Sequence, residues 1–206
     1  LGVYGIALRR HLQLEQDLPE EDIRAVHERI GDRLTFTKHW GSVSEDDGLV
    51  KKLRHCIKGL GCEVLVLDHI SMAVSGLDAS ADERRSLDKL MTDLRSLVEE
   101  TGVHLFIVSH LRRAKDGSHE EGKAVSTADL RGSHSLGQIP DNIIALERNQ
   151  QAEDPMERNI TTVRILKNRD LGTLGPIQGL SFNPASHTLT EAPLKSQPTA
   201  TYEDFT

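Results

Sequence analysis

An aspartate directly follows a short apolar run, and this combination suits the binding of nucleotide phosphates. Residues 64–67 form a continuous apolar run, which predicts a strand that is covered on both faces, and Asp68 stands at its carboxyl end. Ligands of parallel α/β sheets bind at the carboxyl ends of the strands. An Asp at that position can hold Mg²⁺ on nucleotide phosphates. Because Asp also favours turns, a plain strand end is the alternative interpretation.

The next apolar run predicts a second buried strand over residues 103–109, which ends in a polar pair, Ser109 and His110. If the two strands are parallel neighbours, His110 lies beside Asp68 at one edge of the sheet. A histidine there can donate a hydrogen bond to a phosphate oxygen. A histidine that only ends a strand is the alternative.

Basic residues form two further groups. Lys167 and Arg169 are two residues apart near the end of a predicted strand, so we expect them to point to the same side. Two such cations reaching across a subunit boundary can stabilise charge on a transferring phosphoryl group, although solvated edge strands also carry Lys and Arg. In the polar stretch 111–127, cations outnumber carboxylates, and a loop of this kind can track a phosphate backbone.

An α/β arrangement is expected to position these side chains. Residues 82–100 carry an apolar stripe at helical spacing, with a capping box at Ser80 and Glu83 and a stop at Gly102. Strand, helix and strand over 64–109 then predict a right-handed parallel crossover. The other expected elements are an acidic helix within 14–32, helices at 49–60 and 128–137, a β-like patch at 34–37, a buried strand at 143–146, and a hairpin of strands 161–167 and 177–182 turning at 172–176.

Composition excludes several classes of protein. The 206 residues, 37% of them hydrophobic and only 3% aromatic, suit one globular domain without a base-stacking surface. Two Cys cannot build a disulfide framework, which points to a reducing interior. No apolar run approaches the roughly 20 residues of a membrane span. We expect a domain over 1–190 and a disordered tail over 191–206. Because the chain opens on Leu1, we also expect it to be a piece of a longer protein.

The motifs, taken in order, resemble the helicase domain of bacteriophage primase–helicases, the DnaB-like ring helicases that also include mitochondrial Twinkle. They are VLVLDHIS at 64–71, VSHL at 108–111, HEEG at 119–122, DLRGS at 129–133, DNIIALERNQ at 141–150 and RILKNR at 164–169. The resemblance covers at least residues 60–182. It implies an α/β, RecA-like fold: a mostly parallel sheet flanked by helices, incomplete at its N-terminal side, with a C-terminal β-hairpin.

This resemblance also implies an activity. A hexameric or heptameric ring would move 5′-to-3′ on single-stranded DNA at the replication fork, in the cytoplasm. Hydrolysis of ATP, or of another NTP or dNTP, with Mg²⁺ would drive this movement. Asp68 matches the aspartate that positions Mg²⁺, and His110 the histidine that senses the γ-phosphate. Gln138 matches a glutamine that links nucleotide state to the DNA loops. Arg169 matches an arginine finger with Lys167 as its companion. The matching DNA-binding residues are Arg112, Arg113, Lys115, Lys123, Arg131 and Gly132.

One part of the family's site is missing from the sequence. The phosphate-cradling loop, Gly-x-x-x-x-Gly-Lys-Ser/Thr, does not occur in residues 1–206. Its backbone N–H groups and Lys hold the phosphates, and its hydroxyl binds Mg²⁺. We therefore expect this chain alone to hydrolyse no nucleotide. A truncation and a gene split between two polypeptides both explain the absence.

Other functions remain open at this point. A RecA/RadA-type recombinase ATPase core shares the fold and the aspartate, although the DLRGS and HEEG segments favour a helicase. The missing loop also fits a non-catalytic DNA-binding or assembly module. A metal hydrolase is disfavoured because the histidines lack ligand spacing. The acidic end, Tyr202 to Thr206, resembles phage tails that dock on the replicative DNA polymerase, with a plain solvated tail as the alternative.

Overall fold

A computed structural model describes residues 19–37, 48–73, 80–112, 119, 121–132 and 134–194. The described part contains α-helices, strands and two 3₁₀ turns, Gly31–Arg33 and Thr127–Asp129. The helices are α1 (Glu20–Ile30), α2 (Leu49–Leu60), α3 (Ile70–Ala73), α4 (Ser80–Thr101), α5 (Ser135–Gln138) and α6 (Pro155–Arg158). The strands are β1 (Val64–Leu67), β2 (His104–Ile107), β3 (Asn142–Arg148), β4 (Ile160–Asn168), β5 (Gly175–Asn183) and β6 (Thr188–Ala192). Across these stretches, no helix is both long and apolar enough to cross a membrane.

The chain divides into two compact units. The first, the crossover unit, comprises residues 37–115 and 125–143; the second, the antiparallel unit, comprises 1–36, 116–124 and 144–206. The sequence predicted a single domain over 1–190. That boundary stays a prediction, but β6 runs two residues past it, to Ala192.

Helix α4 supplies most of the core of the crossover unit. The apolar stripe that its helical spacing predicts has six members, and Val98 is partly buried against the core. The other five are at most 2% exposed: Leu87, Leu90, Met91, Leu94 and Leu97. The stripe packs against Leu53 and Cys56 of α2 and Leu65 of β1. Burying each large apolar side chain contributes about 1.5–3 kcal/mol. Burial also raises the pKa of the Cys56 thiol, with the nearby Cys62 adding to the effect, and both cysteines are free.

Strands β1 and β2 pair in parallel, which confirms the predicted crossover. The expectation that β1 is covered on both faces is wrong for the described residues, because Val64 and Val66 are 55% and 68% exposed. Successive side chains of a strand point to opposite faces. Leu65 and Leu67 face the core of α2 and α4, whereas Val64, Val66 and Phe106 lie on the open face.

The antiparallel unit contains a sheet in the order β3-β4-β5-β6. The predicted hairpin is confirmed as the antiparallel pair β4–β5, which turns through residues 169–174. The prediction of disorder from residue 191 is wrong at its start. Glu191 and Ala192 belong to β6, whose backbone pairs with β5 from Gly179↔Ala192 to Asn183↔Thr188. Ladder hydrogen bonds order this polar segment although its composition resembles a tail.

Three other local expectations differ from the structure. The helix predicted over 128–137 is instead the 3₁₀ turn Thr127–Asp129 followed by α5, because Gly132 has φ +119°, which no helix accommodates. Residues 34–37 form no strand. The strand predicted at 143–146 is β3, but it is buried on one face only, with Ile144 and Leu146 more than half exposed. The capping pair Ser80 and Glu83 lies among side chains outside the described ones.

Glu100, near the end of α4, allows a test of how the free energy of unfolding depends on acid pH. It accepts hydrogen bonds from Lys58 and from Arg54, the latter at 3.0 Å from Nη2 to Oε2. The hydrogen bond from Lys58, followed by that from Arg54, lowers the pKa of Glu100. A carboxyl whose folded pKa is depressed stabilises the fold above its unfolded pKa, and this contribution is lost as pH falls through the folded value.

The variant Glu100→Gln is therefore expected to flatten the fall in stability below about pH 4.3, the ordinary value for Glu. Urea unfolding followed by circular dichroism between pH 3 and 7 measures this. Glu63→Gln, an exposed glutamate of the same unit, serves as the control. If the free energy of unfolding of Glu100→Gln fell as steeply with falling pH as that of the parental protein, the contribution of Glu100 would be contradicted.

Candidate nucleotide and DNA site

The parallel pairing of β1 and β2 brings Asp68 and His110 to the same edge of the sheet. Leu67 lies opposite Ile107, and the Val108 amide donates to the Leu67 carbonyl at 2.9 Å. Beyond the strands, the Ile70 amide donates to the Val108 carbonyl at 3.0 Å. The segments that follow β1 and β2 thus leave the sheet side by side. Asp68 and His110 come directly after the paired part of each segment. The expectation that these two strand ends are neighbours is confirmed.

A second histidine, His69, accompanies His110 at this edge. The two rings have their centroids 4.0 Å apart and are tilted by 39°. Within the described residues, Nδ1 of His69 is buried and has no hydrogen-bond partner. Sequence reasoning did not single out His69, because its position after Asp68 carries no signal that it meets the end of another strand.

The carboxylate of Asp68 fits the role of a magnesium ligand. It is exposed, and among the described residues it makes no hydrogen bond or ion pair. The described part contains no cluster of three or more His, Cys, Asp or Glu side chains that could hold a metal by themselves. Mg²⁺ on nucleotides is commonly held by one or two carboxylates together with waters and phosphates. One carboxylate at a sheet edge, without a partner among the described residues, matches that donor set.

The DLRGS segment lies directly beside the segment that follows β2. Leu111 and Leu130 form an antiparallel bridge, with Arg112 N donating to Asp129 O at 2.7 Å and Arg131 N to His110 O at 3.0 Å. Asp129 is the last residue of the 3₁₀ turn Thr127–Asp129 and caps its start, accepting from Ser126 N and Oγ at 2.8 and 2.7 Å. The pairing joins residues that the sequence placed in separate polar groups.

An open cleft of about 490 Å³ gathers several predicted site residues in the crossover unit. Arg112, Gly132 and Gln138 line it, together with residues of α4 and α5. The Nη2 of Arg112 donates to the Gly132 carbonyl at 3.1 Å, which fixes the start of the loop against the DLRGS segment. Gln138 is exposed to the cleft at the end of α5. Arg113 and Lys115 lie outside the described residues.

Gly132 has a packing role in addition to any contact with DNA. A Cβ at this position would lie 2.4 Å from Cδ2 of Leu87, which is 2% exposed in the core, and the φ of +119° disfavours any side chain. We expect Gly132→Ala to destabilise the unit by about 1–3 kcal/mol. Urea unfolding measures the loss. Gly137→Ala is the matched control, since its Cβ would meet only Thr127 Cβ at 3.9 Å; equal losses in both variants would contradict the packing explanation.

Lys123 lies in the antiparallel unit, next to a sequence that partly matches the missing phosphate loop. Residues 117–123 have the two glycines and the lysine, but Ala124 replaces the Ser or Thr hydroxyl. The described residues there form a turn, with Glu121 bridged to Asn149 and Gly122 at φ +86°. A phosphate loop joins a strand to a helix, so this segment does not replace it.

Lys167 and Arg169 also belong to the antiparallel unit. Lys167 is half-buried on β4, whereas Arg169 is exposed and lies one residue past the end of β4, in a turn organised by Asn168. Strand alternation therefore does not place the two on the same side, and the geometric reason given for that expectation is wrong. Arg164 of the same segment is not available to a ligand, because its Nε donates to Glu147 Oε1 at 2.7 Å.

Comparisons with known proteins found a family model, a phage relative and a solved structure that are similar to this chain. A family model, the DnaB-like helicase C-terminal domain, matches residues 10–190. The DNA helicase/primase of Enterobacteria phage T3 is 46% identical over 153 residues, which are 70% of this chain and 26% of that protein. A solved structure of a DnaB-like replicative helicase and its interactions with primase aligns with a TM-score of 0.61 at 21% identity. The alignment covers 91% of this chain and 46% of that one, and it supports the RecA-like fold. The chain thus spans about a quarter of the phage relative and less than half of the solved helicase.

Proposed function

Because this chain belongs to the family of DnaB-like helicase C-terminal domains, we propose that it forms part of the nucleotide-driven motor of a replicative DNA helicase. The observation that carries the proposal is the parallel register of β1 and β2, with Leu67 opposite Ile107. It puts a carboxylate, Asp68, which has no partner among the described residues, and an imidazole, His110, at the edge where nucleotides bind in such sheets.

Each residue at the sheet edge has one task in this proposal. Asp68 binds Mg²⁺ on an NTP or dNTP. When bound, the ion neutralises negative charge on the phosphates. His110 donates a hydrogen bond to the terminal phosphate and loses that contact on hydrolysis, while the His69 ring packs against it and keeps it in place. Gln138 lines the cleft beside the DLRGS segment. In this proposal it couples the loss of the His110–phosphate contact to the position of the DNA-contacting residues.

Assembly into a ring supplies the remaining groups. Arg169 is exposed past the end of β4, and we propose that it reaches the nucleotide of a neighbouring subunit as an arginine finger, with Lys167 nearby. Such a cation stabilises charge on the transferring phosphoryl group. A hexamer or heptamer is the expected assembly.

Single-stranded DNA is the proposed track. Arg112 and Gly132 line the cleft, and Arg131 is an exposed neighbour of Gly132 in the chain. The other proposed DNA-contacting residues are Arg113, Lys115 and Lys123. Few aromatic residues are present to stack bases, so phosphate contacts with little sequence preference are expected. We further propose that the protein moves 5′-to-3′, works in the cytoplasm, and contacts a replicative polymerase through its C-terminal tail, which ends in Tyr202 to Thr206.

A hydrolysis and unwinding assay tests the proposal. The chain alone, which lacks a complete phosphate loop, is expected to release no phosphate. Joined to an upstream segment that contains the loop, it is expected to hydrolyse NTP faster with single-stranded DNA and to unwind a fork that has a 5′ tail. Hydrolysis by the chain alone would refute the first expectation. Strand exchange without unwinding would favour a recombinase, and DNA binding that ignores nucleotide would favour a non-catalytic module.

A further inference from the structure

The cleft of the crossover unit carries a cation that has no role so far. We propose that Arg84 of α4 contacts a phosphodiester of single-stranded DNA in this cleft, opposite the segment that contains Arg112 and Gly132. The inference rests on the proposed function, since it extends the DNA-contacting surface from the loop to the adjacent helix.

The guanidinium of Arg84 is available to a ligand. Arg84 is exposed and lines the cleft, and within the described stretches it makes no hydrogen bond or ion pair. Arg95, further along the same helix, is by contrast held by Glu99 and Asp141, each at 2.7 Å. With respect to the described residues, Arg84 therefore keeps its full set of donors. A free guanidinium suits the bidentate recognition of phosphate oxygens.

The other side chains of the cleft favour an anion. Arg112 uses one guanidinium nitrogen on the Gly132 carbonyl, and that bond orients the group. His134 adds ring nitrogens, and Asp88 is the one carboxylate among the residues that line the cleft. The described residues that line it include no Phe, Tyr or Trp, whereas proteins that bind the bases of single strands commonly stack them on aromatic rings. The chemistry therefore matches the phosphate backbone better than the bases.

Its position separates this site from the nucleotide edge. Arg84 is the fifth residue of α4, and the described residues that line the cleft belong to α4, to α5 with its flanking His134 and Ile139, and to the two positions Arg112 and Gly132. Asp68 and His110 are not among the residues that line it. Loss of Arg84 is therefore expected to change DNA affinity and to leave the KM for NTP unchanged.

The test compares Arg84→Ala, Arg84→Lys and Arg85→Ala in the complete ring-forming protein that contains this chain. Arg85 is the matched control, because it is the next residue of the same helix, is exposed and does not line the cleft. Binding of a fluorescent oligo(dT) is measured by anisotropy over a range of salt concentrations. We expect Arg84→Ala to weaken binding about tenfold and to reduce the salt slope by about 0.7 or more, with partial rescue by Arg84→Lys and no change in Arg85→Ala.

The outcomes distinguish the two proposals. If the parental protein binds no DNA, the proposed function itself fails. If the parental protein binds DNA and Arg84→Ala binds it with the same affinity, the role of Arg84 is refuted. The same holds if Arg85→Ala loses as much DNA affinity as Arg84→Ala. Weaker binding at an unchanged salt slope would show a structural role rather than a phosphate contact. A rise in the KM for NTP without loss of DNA affinity would place Arg84 at the nucleotide instead.

Discussion

Replacing Asp68 by Asn is expected to reduce nucleotide hydrolysis by at least about 100-fold in a protein that unites this chain with a phosphate-binding loop. Asn keeps the size of the side chain but removes the charge. Asp68 is exposed at the carboxyl edge of β1 and makes no ion pair within the described residues. The change therefore removes a ligand for Mg²⁺ without breaking a contact that supports the fold.

Phosphate release measured across a magnesium titration tests this expectation. The variant is expected to lose kcat at every Mg²⁺ concentration, and its urea unfolding curve is expected to match that of the parental protein. Asp93→Asn, on α4 and away from the sheet edge, is the control for removal of a carboxylate. A variant with full kcat would show that Asp68 only ends the strand, which is the alternative that the sequence left open.

Replacing Glu147 by Ala is expected to destabilise the fold by about 3–5 kcal/mol. Glu147 on β3 and Arg164 on β4 form an ion pair of 2.7 Å, and their side chains are only 8% and 16% exposed. Removal of one partner leaves the other charge poorly hydrated and without its counter-ion. The loss is much larger than for exposed pairs, which contribute about 0–1 kcal/mol.

A double replacement separates the charge from the packing. Glu147→Met with Arg164→Leu removes both charges while filling a similar volume, and it is expected to recover most of the stability. Urea unfolding followed by circular dichroism measures all variants. The exposed pair Arg24–Glu20 on α1 provides the comparison, since Glu20→Ala is expected to change little. A loss in Glu147→Ala as small as that in Glu20→Ala would contradict the prediction.

Local sequence patterns correctly predicted the helix that buries an apolar face and the order of strand, helix and strand in the crossover. The stripe from Leu87 to Leu97 has a 3.6-residue period, and it is buried as expected. The parallel crossover followed from its strand–helix–strand order, and it placed Asp68 and His110 together. Local pattern failed where backbone conformation or pairing decided the outcome. Gly132 ends the predicted helix through its positive φ, and β6 is ordered by pairing with β5.

The sequence by itself determined the family, because the order and spacing of its motifs are specific, and it determined which residues are candidates for chemistry. Only the tertiary structure decided which of the basic residues are available. It neutralised Arg164 with Glu147, put Arg169 beyond the end of its strand, and left Arg84 unpaired among the described residues. The physical reason is that a charge pattern along the chain is one-dimensional, whereas ion pairing depends on which side chains neighbouring strands and helices bring within about 3 Å.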